Sequence, residues 1–208
     1  MIGIIDYNAG NIPSVMRALN AINCEYIVGK TPDVLKNVDR LIFPGVGDAE
    51  YAMNQLKITG FDLFLKEQSR KKIPILGICL GSQIIFDYSE EGNVECLGLL
   101  SGKIRHFSEI KKQFPLKVPH MGWNDLNLTS FEQESPCGLL KDVPAKTSFY
   151  FVHSFVICPQ DNSVVRAYAD YEIQVPSVIC KDNIYALQFH PEKSGEPGLQ
   201  ILRNFSKI

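Results

Sequence analysis

Cys79, His190 and Glu192 are the side chains of this sequence whose types and settings could carry nucleophilic chemistry. Cys79 lies in Pro74-Ile75-Leu76-Gly77-Ile78-Cys79-Leu80-Gly81-Ser82-Gln83, an apolar run of strand length that ends in Gly-x-Cys-x-Gly. Helical spacing follows at once with Ile84, Ile85 and Tyr88. The pattern is that of a nucleophile elbow with cysteine in the place of serine. A sharp strand-to-helix turn lifts one side chain clear of the sheet, and flanking glycines let backbone pass close to a strained position. At a helix N-terminus the unpaired N–H groups and the dipole favour an anion, so the thiol is expected to titrate below the free value of about 8.5. A small apolar cysteine in a glycine-bracketed turn would leave the same pattern.

A thiolate nucleophile needs a base held in register, and Ala186-Leu187-Gln188-Phe189-His190-Pro191-Glu192 offers one. Pro191 biases His190 toward an extended conformation. On extended chain His190 and Glu192, two apart, project to the same side. The carboxylate can then accept from one imidazole nitrogen while the other faces the thiol, the orienting logic of a triad. Alone, a His-Pro-Glu turn is ordinary surface; paired with the elbow it is far more specific.

Together these segments resemble the signatures of the class I (triad) glutamine amidotransferases. Asp6-Tyr7 with Gly10-Asn11, Pro119-His120-Met121-Gly122-Trp123-Asn124 and Tyr150-Phe151-Val152-His153-Ser154 narrow the resemblance to the glutaminase subunits of imidazole glycerol phosphate synthase, over nearly the whole chain. The resemblance implies glutamine as substrate and no cofactor. It implies a heterodimer with the (βα)-barrel cyclase subunit of that synthase, which receives the ammonia to make imidazole glycerol phosphate and AICAR in histidine biosynthesis. By the same resemblance Gln83, Glu91, His153 and Ser154 contact glutamine, and Trp123, Tyr150 and Lys193 face the partner. Other readings of the same residues remain: a paralogue feeding ammonia to a similar barrel synthase, such as one amidating a surface sugar, a Cys-His peptidase, or a silent binding subunit. Ser82 stands where this family usually has methionine, Asn8 where it has glycine, and Ile12-Pro13 where it has Leu-Arg.

Acyl chemistry on an amide also needs oxyanion donors. The Leu80 N–H, next after the nucleophile, is one candidate; a peptide N–H of Gly45-Val46-Gly47 is the other, with Val46 and Gly47 as its residues, since glycines on both sides of Val46 let that peptide turn. An ordinary strand-to-helix turn would also use these glycines. Gln83, four residues after Cys79, is one helical turn on and on the same face. Glu90-Glu91 would otherwise be a solvated helix end. On type alone a lone tryptophan such as Trp123 is more often a core residue than an interface anchor, although tryptophan is over-represented among such anchors.

The elements that must position these groups alternate in the first half of the chain. Strands are expected over Ile2–Tyr7, Glu25–Gly29, Arg40–Phe43 and Ile73–Ile78. Helices are expected over Ile12–Ile22, with Val15, Ala18, Leu19 and Ile22 on one face, then from Thr31 as cap, over Asp48–Leu56 and over Phe61–Lys71. Pro44-Gly45-Val46-Gly47 reads as a loop. Such alternation implies an α/β fold: a mainly parallel open sheet covered by helices on both faces, flavodoxin-like, with chemistry beyond the carboxyl ends of the strands. Past residue 95 shorter, antiparallel strands are expected over Leu99–His106, Leu116–Pro119, Thr147–Val156, Ser163–Ala169, Pro176–Cys180 and Ile184–Phe189, with a closing helix over Gly198–Phe205.

The bounds agree with one domain over 1–208, without repeat or linker. With 21 basic and 23 acidic residues the net charge is −2, which gives no electrostatic case for nucleic acid or a charged membrane surface. No apolar run approaches the roughly 20 residues of a membrane span. Met1-Ile2-Gly3-Ile4-Ile5-Asp6 lacks the marks of a signal peptide, so a cytoplasmic protein is expected. The six cysteines are scattered without metal-ligand spacing, so neither metal nor disulfide is expected. His106 has no motif around it.

Overall fold

The computed structural model describes residues 1–110 and 117–208. A nine-stranded sheet runs in the order Tyr26–Gly29, Ile2–Ile5, Arg40–Gly45, Ile75–Cys79, Ile184–Leu187, Gln174–Lys181, Val165–Asp170, His120–Leu128, Ser148–His153. The first five strands pair in parallel and the rest antiparallel. Ile75–Cys79 is buried along its whole length, as a strand covered on both faces must be. One face packs on the helices Ala49–Thr59 and Phe61–Arg70 through Met53, Leu56, Phe61, Phe64 and Leu65. The other packs on Ile12–Ala21 and Gly195–Phe205 through Val15, Leu19, Ile201, Leu202 and Phe205. A smaller four-stranded sheet, Phe155–Pro159, Gly102–His106, Tyr88–Ser89 and Val94–Glu95, stands beside it. Among the described residues no helix is long and apolar enough to cross a membrane.

Local chemistry accounts for the helix ends. Asn11 caps Ile12–Ala21 by accepting from the Ser14 N–H, and Pro13 sits in its first turn. Asp48 caps Ala49–Thr59 by accepting from the Tyr51 N–H at 2.9 Å. Gly60, at φ 76°, ends that helix in the left-handed region and starts the next.

Several expected boundaries move. Thr31 makes no capping bond, and the chain beyond it forms a 3-10 turn over Pro32–Leu35 rather than a helix. The strand expected to stop at Phe43 continues to Gly45, which pairs with Cys79. Pro44 is tolerated there because the neighbouring strand last pairs at Ile42, so the missing N–H faces no partner. Helical spacing after the elbow does not extend the helix: it spans only Leu80–Gln83. The Ile84, Ile85 and Phe86 carbonyls that would continue it accept instead from Leu97, Leu99 and Gly98 at 2.8–3.0 Å, and Tyr88 begins a strand.

The strand expected over Leu116–Pro119 begins outside the described residues, and extended chain starts at His120 instead. His120–Leu128 itself gave no strand signal, because its asparagine, aspartate and glycine positions break the apolar alternation: Met121 and Trp123 are exposed, and only His120 and Leu126 are buried. The single strand expected over Thr147–Val156 breaks at Ser154, with Ser148–His153 in the large sheet and Phe155–Pro159 in the small one.

Candidate active site

The elbow is built by two glycines that let backbone touch backbone. A Cβ on Gly81 would lie 2.1 Å from the Phe43 carbonyl oxygen, and one on Gly45 would lie 2.3 Å from the Gly81 nitrogen. That contact presses the turn after Cys79 against the strand Arg40–Gly45. Cys79 itself is held at φ 54°, ψ −112°, a conformation rare for any residue with a Cβ. The helix behind it is one turn long, so the dipole invoked from the sequence acts here only through that turn.

His190 and Glu192 meet, by a route other than the one expected. His190 is extended, but Pro191–Lys193 forms a 3-10 turn that swings the Glu192 carboxylate back, and His190 Nδ1 lies 2.8 Å from Glu192 Oε1. Both side chains are 2% exposed, so solvent does not screen the pair. The His190 N–H donates to the Tyr150 carbonyl at 3.0 Å. Ser194, which the sequence did not single out, closes the clasp: its hydroxyl donates to the His190 carbonyl at 2.6 Å and accepts from the Tyr150 N–H at 3.0 Å.

His190 Nε2 makes no hydrogen bond, and the Cys79 Sγ lies 3.8 Å from the Val152 carbonyl. The imidazole nevertheless feels the sulfur. Burial acts to lower its pKa, but the Cys79 sulfur and the Glu192 carboxylate outweigh burial and carry it up to about 10. A proton leaving the thiol would find the imidazole ready to keep it.

Cys79 and His190 line one cavity of ≈ 350 Å³ together with Val46, Gly47, Leu80, Gln83, Glu91, His153, Ser154 and Lys193, so the expected catalytic, oxyanion and substrate residues converge, except that Glu192 acts from behind His190. Gln83 is fixed by its Nε2, which donates to the Phe155 carbonyl at 3.1 Å and to Gln188 Oε1 at 2.9 Å. Gln188, in the His190 segment, thus positions Gln83, a role that no local pattern in the sequence marks. Glu91 is no solvated helix end. Burial and the nearby Asp48 raise its pKa to about 7, against a hydrogen bond from the Ala49 N–H. The Val46 N–H donates to the Ala9 carbonyl at 2.8 Å, so in this conformation it is turned away from any oxyanion. Asn8, where the resemblance leads one to expect glycine, sits at φ 67°, a region asparagine tolerates better than most residues.

His153 belongs to a buried chain of hydrogen bonds. Its Nδ1 donates to the Phe155 carbonyl at 2.7 Å, its Nε2 lies 2.9 Å from His120 Nδ1, and His120 Nε2 lies 3.3 Å from Asn124 Nδ2. His120 is stacked between Phe151 and Tyr171. Burial lowers both pKa values, to about 3 for His153 and about 4 for His120, so both rings are neutral at pH 7.

Trp123 is not core: it is 59% exposed beside Met121 at 65%. It pairs across the sheet with Tyr150, ring centroids 6.1 Å apart, and Tyr150 in turn lies 6.5 Å from the His190 ring. An aromatic path therefore runs from an open apolar face to the base.

Known proteins share both this sequence and this shape. The family "Glutamine amidotransferase class-I" matches residues 3–208. An imidazole glycerol phosphate synthase subunit HisH of Geobacillus sp. (strain WCH70) is 47% identical over 210 residues, covering 100% of this chain and 97% of the relative. The HisH subunit of Bacteroides fragilis is 42% identical over 207 residues, covering 100% and 99%. A crystal structure described as a glutamine amidotransferase superposes with a TM-score of 0.74 at 17% identity, covering 100% of this chain and 99% of the other. PurLQS from Thermotoga maritima superposes with 0.69 at 19% identity, covering 98% and 96%. At such identities the two structures speak for the fold alone, whereas the full-length sequence relatives speak for kinship. A cysteine elbow, a buried His–Glu pair and end-to-end similarity to HisH subunits place the chain in the class-I glutamine amidotransferase family, and within it among the HisH proteins.

Proposed function

We propose that this chain is the glutaminase subunit of an imidazole glycerol phosphate synthase, hydrolysing glutamine to glutamate and ammonia for a (βα)-barrel cyclase subunit docked on its Trp123 face. The observation that carries the chemistry is the convergence of Cys79, at a strained elbow, and the buried His190–Glu192 pair on one cavity. The pathway rests on the full-length HisH relatives.

In this reading the Cys79 proton passes to His190 Nε2, and Glu192 at Nδ1 stabilises the imidazolium. The thiolate attacks the side-chain amide carbon of glutamine. The oxyanion is met by the Leu80 N–H and by a peptide N–H of Gly45-Val46-Gly47, once that loop releases the Ala9 carbonyl. His190 returns the proton to the departing nitrogen, ammonia leaves, and water then cleaves the thioester to give glutamate and the free thiol. Gln83, Glu91, His153 and Ser154 surround the glutamine, and Trp123, Tyr150 and Lys193 face the partner.

Cys79→Ala tests the assignment. Glutamine-dependent turnover of the complex should vanish while synthesis from added ammonia survives, because the fold and the docking face are untouched. Glu192→Ala should cost less than Cys79→Ala or His190→Ala, since the Tyr150 carbonyl and Ser194 still hold the His190 backbone. Glutamine-dependent turnover retained in Cys79→Ala would refute the triad.

A further inference from the structure

Ser82 is one of the positions where the chain departs from the pattern it resembles, and no step above uses it. Its side chain is fully buried, and its hydroxyl donates to the Cys79 carbonyl oxygen at 2.6 Å. A serine in the first turn of a helix often bonds back to a carbonyl three residues earlier, and that habit alone says nothing about function. Here, however, the carbonyl is that of the nucleophile. The Cys79 C=O and the Leu80 N–H belong to one planar, trans peptide, so the two groups point in opposite directions and turn together. A bond that fixes the carbonyl therefore fixes the direction of the N–H.

The torsion that sets this plane is the ψ of Cys79, which stands at −112° next to a φ of 54°, outside the wells where a chain rests unaided. Behind it the helix Leu80–Gln83 supplies only one turn of its own hydrogen bonds. Donation to a carbonyl also polarises its peptide and strengthens the N–H as a donor. We infer that Ser82 is a positioning residue for the glutaminase step: its hydroxyl holds the Cys79–Leu80 peptide so that the Leu80 N–H meets the oxyanion. The inference rests on the glutaminase reading above and adds to it the residue that keeps one oxyanion donor in place.

Ser82→Ala and Ser82→Thr, each assembled with the cyclase subunit and its nucleotide ligand, separate this role from plain packing. Two rates are read: glutamine hydrolysis, as kcat and KM, and alkylation of Cys79 by iodoacetamide, followed by mass on the Cys79 peptide. Alkylation displaces iodide at a saturated carbon and needs no oxyanion donor. Ser82→Ala should lower kcat at least fivefold with KM within twofold and alkylation within twofold of the native chain. Ser82→Thr, which keeps the hydroxyl, should restore kcat; if its methyl prevents folding, the alanine chain decides alone. A smaller loss of kcat in Ser82→Ala, or alkylation falling in step with kcat, would overturn the inference, the second result showing that Ser82 merely supports the elbow. A native complex that hydrolyses no glutamine would instead overturn the glutaminase reading itself.

Discussion

A thiol becomes a nucleophile only when its proton has somewhere to go, and the three residues proposed to provide for this were visible in the sequence because Cys79 and His190 are each tied to a backbone feature and Glu192 stands two residues from His190. Glycines bracket Cys79, Pro191 follows His190, and the elbow strand is apolar throughout. The supporting residues were hidden for an equally physical reason. Ser194, Gln188 and His120 act through contacts 33 to 105 residues away in the chain, or through main-chain atoms, and neither leaves a local pattern. His120 and His153 carry a measurable signature of their own. Their folded pKa values, about 4 and about 3, lie below the unfolded value of about 6.5. Between these limits the unfolded chain binds more protons, so stability is lost as pH falls from about 6.5 toward 4. His120→Phe keeps the stack between Phe151 and Tyr171 and removes one titrating group. Denaturant unfolding across this window should show the pH slope shallower by up to about 1.4 kcal/mol per unit than in the native chain. An unchanged slope would mean that the pair is not neutral in the fold.

At the scale of elements, the legible parts were those whose burial is periodic. The helices on both faces and the parallel strands follow from apolar spacing, and their ends moved by a few residues only. Elements whose fate is set by distant partners were not legible. The helix after Cys79 stops because residues 97–99 take the Ile84–Phe86 carbonyls that would continue it, and the strand His120–Leu128 exists because Ser148–His153 pairs with it although its sequence does not alternate. The loop after Gly45 belongs to this second kind. Gly47 stands at φ 92°, and a Cβ there would meet nothing within 4 Å. Gly47→Val therefore introduces backbone strain of about 1–2 kcal/mol without a clash, while restricting a peptide that in the proposed mechanism must turn to donate. Turnover of the complex should fall at least tenfold, with a loss of stability no larger than that strain. Equal losses of stability and activity, on a common energy scale, would return the loop to an ordinary turn.

At the scale of the molecule, the proposed base, His190, is wired to a surface. Trp123 and Met121 are exposed on the strand that pairs with Tyr150, and Tyr150 holds His190 through its carbonyl and through Ser194. A partner docked on this face would press on the segment that holds His190, and the cavity lining includes Val46, Gly47 and Lys193. If Trp123 anchors that partner, Trp123→Ala should weaken the complex by more than about 1 kcal/mol in a binding titration, with glutamine chemistry per assembled complex changed much less. Under the proposed function, the Val46 N–H bonded to Ala9 is the state expected of a glutaminase waiting for its synthase. The most direct measurement is glutamate release by the purified chain, alone and with saturating cyclase subunit and its nucleotide ligand. Activity should be low alone and rise at least tenfold in the complex, about 1.4 kcal/mol of barrier. Full activity in isolation, unmoved by the partner, would contradict the account and leave a stand-alone amidase.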